Sequence, residues 1–210
     1  MAENTSPVGG SLALPRLILA RFDSPLNGAW QAAQMARLTP TEHERLARID
    51  RPLRREQFVV GHCMLRRVLV DAGHPDAMIE VDAEGRIRLR AKMPLFTSIA
   101  HSSNAVAVLV AGVPVGVDLE SMRPLRDPRA AAAMLGLARE DAADEGSVLR
   151  AWVAAEARVK AGPEALAQVW RTSWQRCQLA VAGAANQPLT GVLDGITGTY
   201  NAVEFQWEAV

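Results

Sequence analysis

Three carboxylates in this chain have types and spacing suited to chemistry. Asp118 and Glu120 end the longest apolar run, in Gly116-Val117-Asp118-Leu119-Glu120. Glu156 follows in Trp152-Val153-Ala154-Ala155-Glu156-Ala157-Arg158-Val159-Lys160. Side chains alternate faces along a strand, so the i, i+2 spacing puts Asp118 and Glu120 on one side and Val117 and Leu119 on the other. Two hard oxygen donors on one face suit Mg²⁺, which binds few carboxylates, keeps waters and bridges to phosphate oxygens. For the pair taken alone, a solvated turn at a strand end is the plainer account.

The second segment has the composition of a helix. Residues 147–161 are Ala-rich and free of Gly and Pro, which places Trp152, Glu156 and Lys160 on one face at i, i+4, i+8. A half-buried Trp beside a helix-stabilising Glu-to-Lys pair also accounts for that face.

The order of these blocks resembles the Sfp-type 4′-phosphopantetheinyl transferases, which move the phosphopantetheine arm of coenzyme A onto a carrier-protein serine. The likeness runs from about residue 38 to residue 162. It comprises a block at 38–48 with Glu42 and Arg45, then Arg55-x-x-Phe58 running into Leu65-Arg66, Ile99-Ala100-His101-Ser102, and the two carboxylate blocks. The resemblance implies that Asp118, Glu120 and Glu156 hold Mg²⁺, and that His101, with Ser102 beside it, contacts the coenzyme A phosphates. It also implies that Glu156 takes the proton of the carrier serine and that Lys160 pairs with phosphate oxygens. Arg45 and Arg55 are then assigned to the adenosine end and Arg86, beside Gly85, to a contact from a hairpin. Arginine suits these roles because its planar fork matches phosphate oxygens. The implied partner is an acyl or peptidyl carrier protein.

Two positions depart from the family pattern. The helix block usually reads Trp-x-x-Lys-Glu, and here the lysine is Ala155; the usual Ser-His-Ser is Ala100-His101-Ser102. Losing a compact cation beside a pyrophosphate leaving group predicts slower chemistry or a narrower substrate range, unless Arg158 leans over the vacancy. Two other classes remain open: a weakened relative that binds coenzyme A or a carrier protein, and a metal-dependent phosphodiesterase using the same carboxylates.

Length and charge set the frame. With 210 residues and 49% hydrophobic content the chain can bury a sizeable core, and zero net charge supplies no whole-molecule field for nucleic acid or anionic membrane. The two cysteines, Cys63 and Cys177, read as unpaired thiols of a reducing compartment. Residues 1–15 lack the basic and apolar parts of a signal peptide, and no apolar run is long enough to span a membrane. A cytoplasmic monomer is expected.

The elements expected to position these residues follow from periodicity and punctuation. A strand is predicted over 12–20, a helix from Pro40 with Thr39 as cap, and a long core helix over 52–72 stopped by Gly73. A hairpin is predicted over 78–89 around Glu84-Gly85, strands over 98–100, 105–110 and 115–119, helix from 128 to about 162, and strands over 174–181 and 203–207. The order strands, long helix, strands occurs twice. This is an α+β chain with a flexible segment at 1–14 and two halves, 15–113 and 114–210, the second carrying the metal site. The resemblance implies that the halves are related by a pseudo-twofold with coenzyme A between them.

Overall fold

The computed structural model describes residues 15–138, 144–163 and 168–183, and the backbone of strands at 191–193, 201–203 and 208–209. The chain is mixed α+β. Strand β1 (Arg16–Arg21) is followed by helices α1 (Gly28–Met35), α2 (Pro40–Ala47) and α3 (Pro52–Asp71). Next come the hairpin β2 (Met78–Val81) and β3 (Ile87–Arg90), and then β4 (Phe96–Ser102), β5 (Ala105–Ala111) and β6 (Val115–Ser121). Helices α4 (Pro128–Met134) and α5 (Glu145–Ala161) precede β7 (Gln168–Trp174), β8 (Cys177–Gly183), β9 (Gly191–Leu193), β10 (Asn201–Val203) and β11 (Glu208–Ala209). Of the strand expected over 203–207, residues 204–207 lie outside the described residues, as do 1–14. No helix among the described residues is long and apolar enough to cross a membrane.

Alternation of side chains builds the layers. One sheet has the order β10-β9-β1-β5-β4 and a second the order β11-β7-β8-β6. Leu17, Leu19, Ala105, Ala107 and Leu109 of the first sheet meet Val117, Leu119, Leu179 and Val181 of the second in one buried core. The intervening positions, Ile18, Ala20, Val106, Val108 and Val110, face the opposite way and pack under Val60, Leu65, Val68 and Leu69 of α3. On the far side of the second sheet, Ala180 and Ala182 receive Val153, Ala154, Ala157 and Ala161 of α5. The order of layers is therefore α3, sheet, sheet, α5, with a period of 2 on each strand feeding two cores.

The two sheets are stitched along their edges by serine. Ser98 Oγ accepts from Val117 N (3.0 Å) and Ser102 Oγ accepts from Ser121 N (2.9 Å). Each bond joins positions nineteen apart, so β4 and β6 run side by side in the same direction with hydroxyls standing in for carbonyls.

Local signals explain most boundaries. Thr39 and Glu42 form a capping box at α2 with Pro40 at the first turn. Gly73 ends the long helix at φ 84, where a side chain would be strained. The turn of the β2–β3 hairpin carries Gly85, also at φ 84. The 174–181 segment departs from expectation: it is the junction of two strands, β7 and β8, with the reversal at Gln175-Arg176. Gln175 takes φ 52 without being Gly or Asn, so the turn carries no compositional mark. The helical stretch from 128 is likewise two helices, broken after α4 by Gly136 at φ 66.

A polar cluster ties α2 to α3. Glu42 is fully buried and accepts from His62, Arg66 and the Thr39 amide. Burial alone would raise its pKa, but hydrogen bonds from His62 and Arg66 overcome this and hold it at about 2. His62 is pushed below its ordinary value by burial and stacks on Phe58 at 4.0 Å, so the cluster balances Arg66 against Glu42.

Candidate functional site

The side-chain parity of β4 separates two neighbours that the sequence groups together. Ser102 shares a face with Ser98 and turns inward to the seam, where it is buried and donates to Glu120 Oε2 at 2.8 Å. His101 points the other way, toward α3, and lines a cleft of about 1040 Å³. Arg45 from α2, Arg54 and Phe58 from α3, Arg86 and Arg88 from β3 and its turn, and Lys160 from the end of α5 line the same cleft. Pro94, Phe96, Val115 and Val159 supply apolar wall. That volume is at the upper end for small-molecule sites.

The basic residues divide by what they already hold. Arg55 is committed to the end of α2: its Nη1 donates to the carbonyls of Leu46 (2.7 Å) and Ile49 (3.2 Å), and it does not line the cleft. Its neighbour Arg54, which the sequence did not single out, donates from Nη1 to Gln57 Oε1 (2.7 Å) and to His101 Nε2. Arg86 is exposed and donates to Asp82 (2.8 Å) and Glu84 (2.9 Å) within its own hairpin. The Arg45 guanidinium lies under Gly85, so close that a Cβ there would stand 2.9 Å from its Cζ. Among the described residues, neither Arg45 nor Arg54 has a carboxylate within ion-pair distance.

This leaves concentrated positive potential. Burial and then the Arg45 charge lower the Arg54 pKa. His101 is lowered to about 4, first by burial and then by Arg54, with Lys160 adding to the effect. At neutral pH the imidazole is uncharged, and its Nε2 accepts from Arg54. Burial is the main reason the histidine is neutral, and the cations that add to it, Arg54 and Lys160, give the cleft a positive potential suited to an anion.

On the opposite wall, Lys160 Nζ donates to Asp118 Oδ1 at 2.6 Å. Asp118 is buried on the α5-facing side of β6, with Gly116 and Glu120 at alternate positions. Helix α5 comes this close because Gly116 has no Cβ: an added one would meet the Ala157 carbonyl oxygen at 2.0 Å. Glu156 is half-buried on α5. Ala155 is also half-buried, and Arg158 is exposed.

The fit to Mg²⁺ turns on one atom. Asp118 Oδ2 is buried without a hydrogen-bond partner, an orphaned acceptor that a cation would satisfy. Among the described residues no group of three His, Cys, Asp or Glu side chains stands close enough to hold a metal unaided. Magnesium does not require such a cage, since it is held by one or two carboxylates together with substrate phosphates. The expected site residues therefore fall into four groups: Arg45, Arg86, His101 and Lys160 share the cleft, Asp118 joins it through Lys160, Ser102 with Glu120 forms the seam behind, and Arg55 and Glu156, which do not line the cleft, stand apart. No protein-family model matches the chain, and no curated protein matches it significantly.

Two measurements examine the cleft. With inorganic pyrophosphate as the probe anion, Arg54→Ala is expected to weaken binding about thirtyfold, the loss of one charge-assisted hydrogen bond of roughly 2 kcal/mol, while Arg55→Ala lowers the melting temperature and leaves affinity within about twofold. Calorimetric titration of both variants beside their melts checks this; the reverse pattern would reassign the phosphate contact to Arg55.

The second concerns protons. A phosphate dianion placed between Arg54 and His101 raises the imidazole pKa, so binding takes up a proton and affinity grows as pH falls from neutrality toward about 4. Titrations in two buffers of different ionisation enthalpy give the uptake. His101→Asn should remove it, and equal uptake by the variant would show that another group titrates.

Proposed function

We propose that the chain transfers the 4′-phosphopantetheine group of coenzyme A to a serine of an acyl or peptidyl carrier protein. What supports this most directly is the cleft: uncompensated Arg45 and Arg54 with His101 on one wall, and Lys160 on Asp118 on the other. The reading takes the architecture as two α+β halves related by a pseudo-twofold, 15–113 and 114–210, with coenzyme A between them. It takes the molecule as a cytoplasmic monomer.

The roles follow from chemistry. Arg45, Arg54 and His101 bind phosphate oxygens and fix the adenosine end. Lys160 turns toward the pyrophosphate and neutralises charge as 3′,5′-adenosine bisphosphate departs. Asp118 and Glu120, with Glu156, would hold Mg²⁺, which when bound supplies Lewis-acid stabilisation of phosphoryl oxygens. Ser102 keeps Glu120 oriented by donating to Oε2. Glu156 accepts the proton from the carrier serine hydroxyl, whose oxygen forms a bond to phosphorus as the pyrophosphate P–O bond breaks.

A second reading rests on Ala155 and on the pairing of Lys160 with Asp118: a weakened relative that binds coenzyme A without efficient transfer. Mass spectrometry of an apo carrier protein incubated with the chain, coenzyme A and Mg²⁺ separates the two. A gain of one phosphopantetheine is expected; binding of coenzyme A with no gain establishes the second reading.

A further inference from the structure

We propose that Lys160 is an internal stand-in cation: it holds Asp118 in the free protein, suppresses divalent-metal binding there, and gives up the carboxylate only when phosphate oxygens in the cleft draw its ammonium away. The inference rests on the reading of Asp118 as a metal ligand and adds a regulation that the reading does not contain.

Burial sets the problem. The Asp118 side chain is 9% exposed, on a strand face shared with Gly116 and Glu120 of β6 and with Ala180 and Ala182 of β8, and the alanine stripe of α5 covers its apolar part. An ionised carboxylate removed from water needs a positive partner. Lys160 supplies it at 2.6 Å through Oδ1, leaving Oδ2 buried and without a hydrogen-bond partner. The pair is thus half of a coordination site, with charge balanced and one oxygen unused.

Freedom of the lysine makes the pairing reversible. Its side chain is 32% exposed, it lines the cleft, and four methylenes let the ammonium swing without moving α5. A divalent cation entering at Asp118 meets a like charge a few ångströms away, so metal and ammonium exclude one another. Anions in the cleft favour the swung-out lysine and therefore favour the metal. By reciprocity, metal favours the anion. The free protein is kept from binding metal nonproductively, and the site completes itself on coenzyme A.

Mn²⁺ binding to the full chain, followed by electron paramagnetic resonance without coenzyme A, tests this. The parent is expected to bind weakly. Lys160→Met should bind about tenfold more tightly, within the range of coupled sites, and Lys160→Arg, which keeps a cation, should stay with the parent. Thermal melts add a second readout: Lys160→Met loses stability without metal and Mn²⁺ restores it, whereas the parent barely responds. Should Lys160→Met fail to fold, Lys160→Gln carries the same expectation with an amide retained at Asp118. If Asp118→Asn loses Mn²⁺ but Lys160→Met and Lys160→Gln bind it no better than the parent, the lysine does not compete and the proposal is overturned. Indifference of Mn²⁺ binding to Asp118→Asn would overturn the metal assignment itself.

Discussion

On the proposed function, Asp118→Asn is expected to lower phosphopantetheine transfer at least a hundredfold while the chain stays folded. The substitution keeps size and hydrogen-bonding capacity but removes the charge that would hold Mg²⁺, and about 3 kcal/mol of lost charge stabilisation corresponds to that factor in rate. Stability should change little. Lys160, which donates to Asp118, is a third exposed and can return its ammonium to water, while the buried face around Gly116, Ala180 and Ala182 loses no volume. Initial rates by mass spectrometry of the carrier, set beside a thermal melt, make the comparison. A folded variant turning over carrier at the parent rate would remove Asp118 from the reaction, and with it the mechanistic reading of β6.

The electrostatics place opposite problems on the two walls of the cleft. Around Arg45 and Arg54, cations face one another with no carboxylate among the described residues within ion-pair distance, and burial, then Arg54, lower the pKa of His101 to about 4. At Asp118, a buried carboxylate has one cation and one spare oxygen. A ligand with phosphates at one end and a phosphate-bound metal at the other relieves both. That complementarity is a property of the assembled cleft, because its parts come from α2, α3, the β2–β3 hairpin, β4, β6 and α5.

How much of this is legible in the sequence depends on whether a feature is local. Helix α3 is readable from its apolar spacing and from Gly73, and α2 from Thr39, Pro40 and Glu42, because those signals act within a few residues. The β7–β8 reversal is not, because Gln175 at φ 52 carries no turn signature. Helix α1 escapes because it is short and has no fully buried residue to set an apolar period, although its cap, Asn27, whose side chain accepts from Trp30 N, is a local start signal. At the site, the i, i+2 rule places Asp118 and Glu120 on one face of β6. The same rule, applied to β4, divides His101 from Ser102, which block order alone had grouped. The choice between Arg54 and Arg55 is one residue of helix rotation, about 100°, and only the carbonyls of Leu46 and Ile49 decide it. The salt bridge of Lys160 with Asp118 spans 42 positions and leaves no mark in either segment.

Among the described glycines, Gly116 has the closest approach to an added Cβ, and Gly116→Ala is expected to be strongly damaging. The added methyl would stand 2.0 Å from the Ala157 carbonyl oxygen and 2.6 Å from the Ala161 amide nitrogen, both backbone atoms of α5 that no rotamer can move aside. The helix must lift, opening the packing of Ala154, Ala157 and Ala161 on Ala180 and Ala182 and carrying Lys160 away from Asp118. Overpacking of this kind costs about 3 kcal/mol, which for a chain of this size lowers the melting temperature by roughly 10 °C. Gly112→Ala is the matched control, since an added Cβ there meets nothing within 4 Å and no positive φ opposes it. Melting curves of the two variants, together with Mn²⁺ binding, test the geometric claim. If Gly116→Ala melts with the parent, the approach of α5 to β6 is looser than described, and glycine at 116 is not what brings Lys160 to Asp118.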